Sequence, residues 1–172
     1  ILPLCALLLP LLLPAQTRLR TPDGATLALD DAKGRLGTLR DAAGQTLATG
    51  GTLWRVEFRE GAAVDSDAFL AAGGTVAVRR EGEAVAVLSF ASAELAVDVR
   101  VAATAGGFAV VGEVPRTARD IVGLSVPDKL SFSPEACQRL VFPQRGNTSL
   151  GIALAPSFFR KHEAGGRLVG KT

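Results

Sequence analysis

The sequence has no methionine and no tyrosine, one histidine, one tryptophan and two cysteines. Each scarcity closes off a chemistry. A zinc site draws on several Cys or His ligands, and this set is too small. The one histidine, His162, stands beside Glu163 in a Gly-rich tail beyond the last apparent strand. It reads as a solvated terminal residue, which leaves a Ser or Cys nucleophile without a base. Cys5 lies in an apolar leader, so Cys137 has no partner for an internal disulfide and reads as a small core residue. No Gly-x-Gly-x-x-Gly or phosphate-binding loop occurs, and Gly170-Lys171-Thr172 lacks both the upstream glycine spacing and a following helix. No cofactor is expected. A net charge of +2, with pairs such as Arg79-Arg80 balanced by Glu81 and Glu83, argues against a nucleic-acid partner.

One long apolar run is present, ILPLCALLLPLLLPA over residues 1–15. It falls short of the roughly 18–20 residues a membrane-spanning helix needs, and Pro3, Pro10 and Pro14 interrupt it, so no membrane span is expected. Small Ala15, just before Gln16-Thr17-Arg18, suits a signal-peptidase site. The run predicts a secretory signal peptide over 1–15, N-terminally truncated because it lacks a basic region and an initiator methionine. A secreted, periplasmic or cell-surface location is the consequence. The alternative is a buried strand or helix at a true N-terminus. A lipoprotein signal fits less well, because no small residues precede Cys5 inside the run.

After the leader, short stretches alternate apolar and polar residues with a period of two, punctuated by Gly and Asp. Ala25–Asp30, Arg35–Arg40 and Gln45–Ala48 are separated by Asp31-Ala32-Lys33-Gly34 and Asp41-Ala42-Ala43-Gly44. An Asp that caps its own turn and a Gly that accepts positive φ make these tight hairpin turns. Thr52–Arg59 is predicted as a strand with Trp54, Val56 and Phe58 on a core face, and Leu53, Arg55, Glu57 and Arg59 on the other. A loop over Glu60–Gly74 comes next. Thr75–Arg80, Ala84–Phe90, Glu94–Val101 and Gly107–Val114 have short links and predict an antiparallel meander. Thr117–Val126 reads as a further strand, and Ser133–Arg139, with a Ser cap and Pro134, as one helical turn. Leu140–Phe142 and Leu150–Leu154 are two late strands joined by the loop Pro143–Ser149. About nine or ten strands at short spacing predict an all-β fold, an antiparallel β-sandwich with short hairpin connections. The predicted layout is a signal peptide at 1–15, a β-sandwich domain at 16–160, and a linker or the start of a following segment at 161–172.

Candidate sites are few. Gln144, Arg145 and Asn147 sit together around Gly146 in the late loop and are candidate ligand-binding residues at the sandwich rim. Phe158-Phe159, after Pro156, reads as apolar surface for a following domain. Asp65 and Asp67 offer a carboxylate pair of the kind that holds Ca²⁺ with backbone carbonyls, although that spacing is also common in ordinary turns. Glu57, Glu94, Asp98 and Glu113 alternate with apolar neighbours, so they are expected to face solvent rather than to act as an acid/base pair. Trp54 could stack on a sugar ring, but its partners Val56 and Phe58 place it in the core. No catalytic residue is assigned. Asn147-Thr148-Ser149 matches a glycosylation triplet, but an Ala/Arg/Gly-rich sequence of bacterial style gives no reason to infer a glycan.

The stretch Gly24–Trp54 carries Leu27, Leu29, Asp30, Gly34, Arg35, Leu36, Leu39, Asp41 and Gly44 in the order "apolar alternation, Asp, Gly-Arg-Leu, apolar, Asp, x, x, Gly". It resembles the opening of bacterial carbohydrate-active proteins in which a galactose-mutarotase-like, or supersandwich, β-module precedes a catalytic barrel. The resemblance covers about a fifth of the chain. It implies a non-catalytic module that helps shape the sugar cleft of a glycoside hydrolase, with the acid/base pair on a C-terminal catalytic domain of the same chain and carbohydrate as the ligand. A stand-alone secreted or cell-surface β-sandwich for adhesion or scaffolding remains open beside it, as does a small independent enzyme.

Overall fold

The computed structural model describes residues 16–132, 139–143 and 149–153. In chain order, the first strands are β1 (Gln16–Arg20), β2 (Thr26–Asp30), β3 (Arg35–Arg40), β4 (Thr46–Gly50), β5 (Arg55–Phe58) and β6 (Val64–Asp65). One short helix, α1 (Ser66–Ala71), precedes β7 (Thr75–Arg80), β8 (Val85–Ala91), β9 (Leu95–Thr104) and β10 (Gly107–Thr117). The described chain ends with β11 (Ile121–Ser125), β12 (Leu130–Phe132), β13 (Arg139–Pro143) and β14 (Ser149–Ala153).

Three sheets build the body, all antiparallel. β1-β2-β3-β4-β12 form a five-stranded sheet, β10-β9-β8-β7 a four-stranded meander, and β11-β5-β6 a small third sheet. The meander has the order expected from its short links. Its inward residues pair across strands, Ala86 with Val101, Leu88 with Val99 and Phe90 with Val97, and all six are buried. From the five-stranded sheet, Leu19, Leu27, Leu29 and Leu36 meet the same core, and Val56 and Phe58 of β5 close it. The result is a sandwich-like all-β packing around one apolar interior. Burying each such side chain contributes roughly 1.5–3 kcal/mol.

Aromatic packing fixes one end of the core. Trp54 stands edge-on to Phe69 and to Phe90, with ring centroids 5.4 Å away in each case. Such pairs add about 0.5–1.5 kcal/mol beyond area burial. Gly34 ends the β2–β3 turn at φ +57°, where a Cβ would lie 2.6 Å from Phe90 Cζ, so a residue with no side chain is required there.

Several expectations are corrected. Residues 52–54 are not strand: β5 begins at Arg55. Leu53, assigned to the charged face, is as fully buried as Trp54. Both sides of this segment are covered. Asp128 and Lys129 donate their amides to the carbonyls of Leu53 and Thr52 at 3.1 Å each, while Leu53 donates its own to Ser66 Oγ at 3.0 Å. A segment covered on both sides has no solvent face, so the period-two rule does not apply to it. The predicted loop Glu60–Gly74 contains β6 and α1. The β2–β3 turn is capped by Asp30, which accepts from Lys33 N, whereas Asp31 reaches across to accept from Thr17 N and Oγ1. The β3–β4 turn is as expected: Asp41 accepts from Gln45 N at 2.8 Å, and Gly44 has φ +85°. β1, which adjoins the apolar run, and the three-residue β12 are strands beyond those predicted. Of the predicted helical turn Ser133–Arg139, only Arg139 is described, and it belongs to β13.

Candidate functional site

The late hairpin is present in the backbone: β13 pairs antiparallel with β14, Leu140 opposite Ile152 and Pro143 opposite Ser149. The loop it frames, with Gln144, Arg145 and Asn147, lies outside the described residues, as do Phe158-Phe159, Cys137 and His162.

Asp65 and Asp67 are placed by α1. Asp65 is its N-cap, accepting from Ala68 N at 2.8 Å. Asp67, in the first turn, accepts from Arg35 Nε at 2.7 Å and pairs with Nη2 at 2.6 Å, which ties the helix to β3. This hydrogen bond holds the Arg35 guanidinium still more firmly protonated than usual. The two carboxylates thus serve different partners. Among the described residues no group of three His, Cys, Asp or Glu side chains is arranged to hold a metal ion.

The strand carboxylates behave as solvated charges. Glu57, Glu94 and Glu113 are exposed and Asp98 is half-buried. Asp98 and Glu113 are directly opposite on β9 and β10, on the outer face of the meander. Glu81 is held by Arg100 and, at 2.8 Å, by Arg79; the Arg100 hydrogen bond draws its carboxyl below the ordinary range.

Among the described residues, two concavities stand out. The first, about 650 Å³, lies beside the β1 edge and the β7–β8 turn and is lined by Arg18, Arg20, Thr21, Arg80 and Glu83. The alternation that buries Thr17 and Leu19 sends Arg18 and Arg20 outward from β1. Arg80, the last residue of β7, donates to the Glu83 carbonyl at 3.3 Å. Among the described residues neither Arg18 nor Arg20 has an ion-pair or hydrogen-bond partner for its side chain. These arginines lie too far apart in the sequence to read as a patch. The one signal is the strict alternation of Thr17-Arg18-Leu19-Arg20, which adjoins the apolar run at 1–15.

The second concavity, about 670 Å³, is a mostly apolar groove between the five-stranded sheet and the start of β10, with Leu27, Leu36, Leu39, Phe108, Pro127 and Leu130 among its walls. A third feature is Asp128. Its side chain is only 11% exposed and its Oδ2 has no hydrogen-bond partner among the described residues. Burial pushes this carboxyl above the ordinary carboxylate range, and the charges of Lys129 and Arg55 oppose that only in part.

Among the described residues the charged cleft and the apolar groove stand apart from one another. Compared with protein-family models, with curated proteins and with solved structures, the chain matches none.

Proposed function

We propose that this chain is the non-catalytic β-sandwich module of an exported bacterial carbohydrate-active enzyme of the glycoside hydrolase kind, and that it supports or shapes a sugar-binding cleft formed with a catalytic domain of the same chain. The observation that carries the reading is the apolar groove. Above the buried Leu27 and Leu36, its accessible walls hold the partly buried Leu39, Phe108 and Pro127 and the exposed Leu130, an apolar surface suited to a packing partner. β12, the last strand of the five-stranded sheet in chain order, begins at Leu130 in that same groove. The chain that leaves β12 starts beside this groove, which supports a domain later in the chain as its occupant. The leader at 1–15 supports export, and the Gly24–Trp54 resemblance supports carbohydrate as the substrate class. The solvent-facing carboxylates support a catalytic pair located elsewhere.

The test is the coding sequence beyond Thr172. A long continuation with alternating strand and helix patterns and a carboxylate pair is expected. A stop codon directly after Thr172 would overturn the reading in favour of a stand-alone adhesive or scaffolding domain.

A further inference from the structure

We infer that the cleft beside β1 is an anion-reading subsite, in which Arg18, Arg20 and Arg80 grip the carboxylate or sulfate groups of an acidic polysaccharide. The polymer class rests on the carbohydrate reading proposed for the chain; the charge preference rests on the arginines alone.

Three arginines line one open cavity of about 650 Å³, within the roughly 300–1,000 Å³ range of small-ligand sites. The acidic side chain on the same wall is Glu83, so the cleft carries an excess of positive charge. Of the carboxylates nearby, Glu81 is taken up by Arg79 and Arg100. Among the described residues Asp31 and Asp23 accept only from Thr17 and Thr21 and keep their charge, but neither lines the cleft. Arg18 and Arg20 lie two apart on an edge strand, which places both on its outward face. Arg80 faces them from a different sheet. A planar fork of N–H donors matches the two oxygens of a carboxylate, or two of those on a sulfate ester, better than an ammonium would. Two arginines on one strand can engage successive charged groups along an extended chain. The open mouth admits a polymer passing through rather than a small molecule enclosed. None of the three arginines supports the core, so their charge is available to a ligand.

The purified protein is run in native gels containing polygalacturonate, chondroitin sulfate, dextran or no polymer. A 20-mer single-stranded oligonucleotide is titrated separately. Retardation by at least one acidic polymer and not by dextran is expected, and the polymer that retards assigns carboxylate or sulfate as the source. Each of Arg18→Gln, Arg20→Gln and Arg80→Gln is expected to weaken retention about tenfold. The exposed Arg59→Gln, which removes the same charge elsewhere, is expected to leave it unchanged. The inference is overturned by no retardation in either acidic gel, by equal retardation in dextran, by an equal loss in Arg59→Gln, or by tighter binding of the oligonucleotide. Its failure is separate from that of the proposed function, because gel retention and the reading frame past Thr172 are independent readings.

Discussion

The end of the core around Trp54 and the cleft around Arg18 use the same alternation for opposite purposes. At Trp54, every position is covered: Leu53, Trp54, Phe69, Phe90 and Val97 are buried, the rings pack edge to face, and Gly34 is needed so that Phe90 has room. At the cleft, outward positions of β1 carry exposed arginines with no ion-pair or hydrogen-bond partner among the described residues. The first region holds the fold and tolerates almost no change. The second can change at little expense in stability, which is where a binding function can be placed without endangering folding.

Changes in the covered region are expected to be the most damaging. Phe90→Ala removes a ring that touches Trp54 and Phe69, and should lower stability by about 3–5 kcal/mol in urea unfolding. A loss below about 1 kcal/mol would mean that the aromatic cluster is not the anchor described. Gly34→Ala combines a left-handed backbone position with a Cβ driven into Phe90, and about 2–4 kcal/mol is expected by the same measurement. Ser66→Ala leaves the buried Leu53 amide without its acceptor and should cost about 1–3 kcal/mol. An unchanged midpoint would show that another group takes the proton.

Asp128→Asn sits between the two regions in character, because a charge has been placed where the fold buries its surroundings. The folded state keeps the Asp128 proton to a higher pH than the unfolded chain does. Stability from this group therefore falls as pH rises from the ordinary carboxylate range through the raised value, and the penalty persists above it. Asp128→Asn should raise stability at pH 7 by about 1 kcal/mol and remove that part of the pH dependence. A variant no more stable than the parent at pH 7 would contradict the role given to burial. Glu81 acts with the opposite sign: its contribution is present above the ordinary range and is lost as pH falls through its lowered value. Smallest of all, Arg18→Gln or Arg20→Gln should shift stability by no more than about 0.5 kcal/mol. A larger loss in thermal melts would show that the cleft is part of the scaffold after all.

Much of the architecture was readable because period-two alternation is a local signal. β3 and β7 match their predicted bounds, and the meander order comes from link length alone. What escaped was set by distant partners. Leu53 is buried because Asp128 and Ser66 close over it from more than ten residues away in sequence. β12 is a three-residue strand defined by β4, and α1 is a six-residue helix held by its Asp65 cap and by Arg35, both too short for a period to emerge. The candidate sites are less legible than the fold: Gln144, Arg145 and Asn147 lie outside the described residues, and Asp65 and Asp67 are close in sequence but serve a helix cap and an ion pair. The arginine cleft joins residues 18, 20 and 80, and only the closing of two sheets brings them together.

The division between a region that folds and a region that binds can be tested in one urea titration monitored by Trp54 fluorescence, with and without the acidic polymer that retards the protein. Trp54 is the only tryptophan and is fully buried, so its emission reports the core. A ligand that binds only the folded state raises the midpoint by linkage. The expected result is a midpoint that rises with polymer for the parent protein, and a triple Arg18→Gln/Arg20→Gln/Arg80→Gln variant with the parent's midpoint in its absence and no rise in its presence. A triple variant already destabilised without polymer, or one whose midpoint still rises with it, would contradict the division.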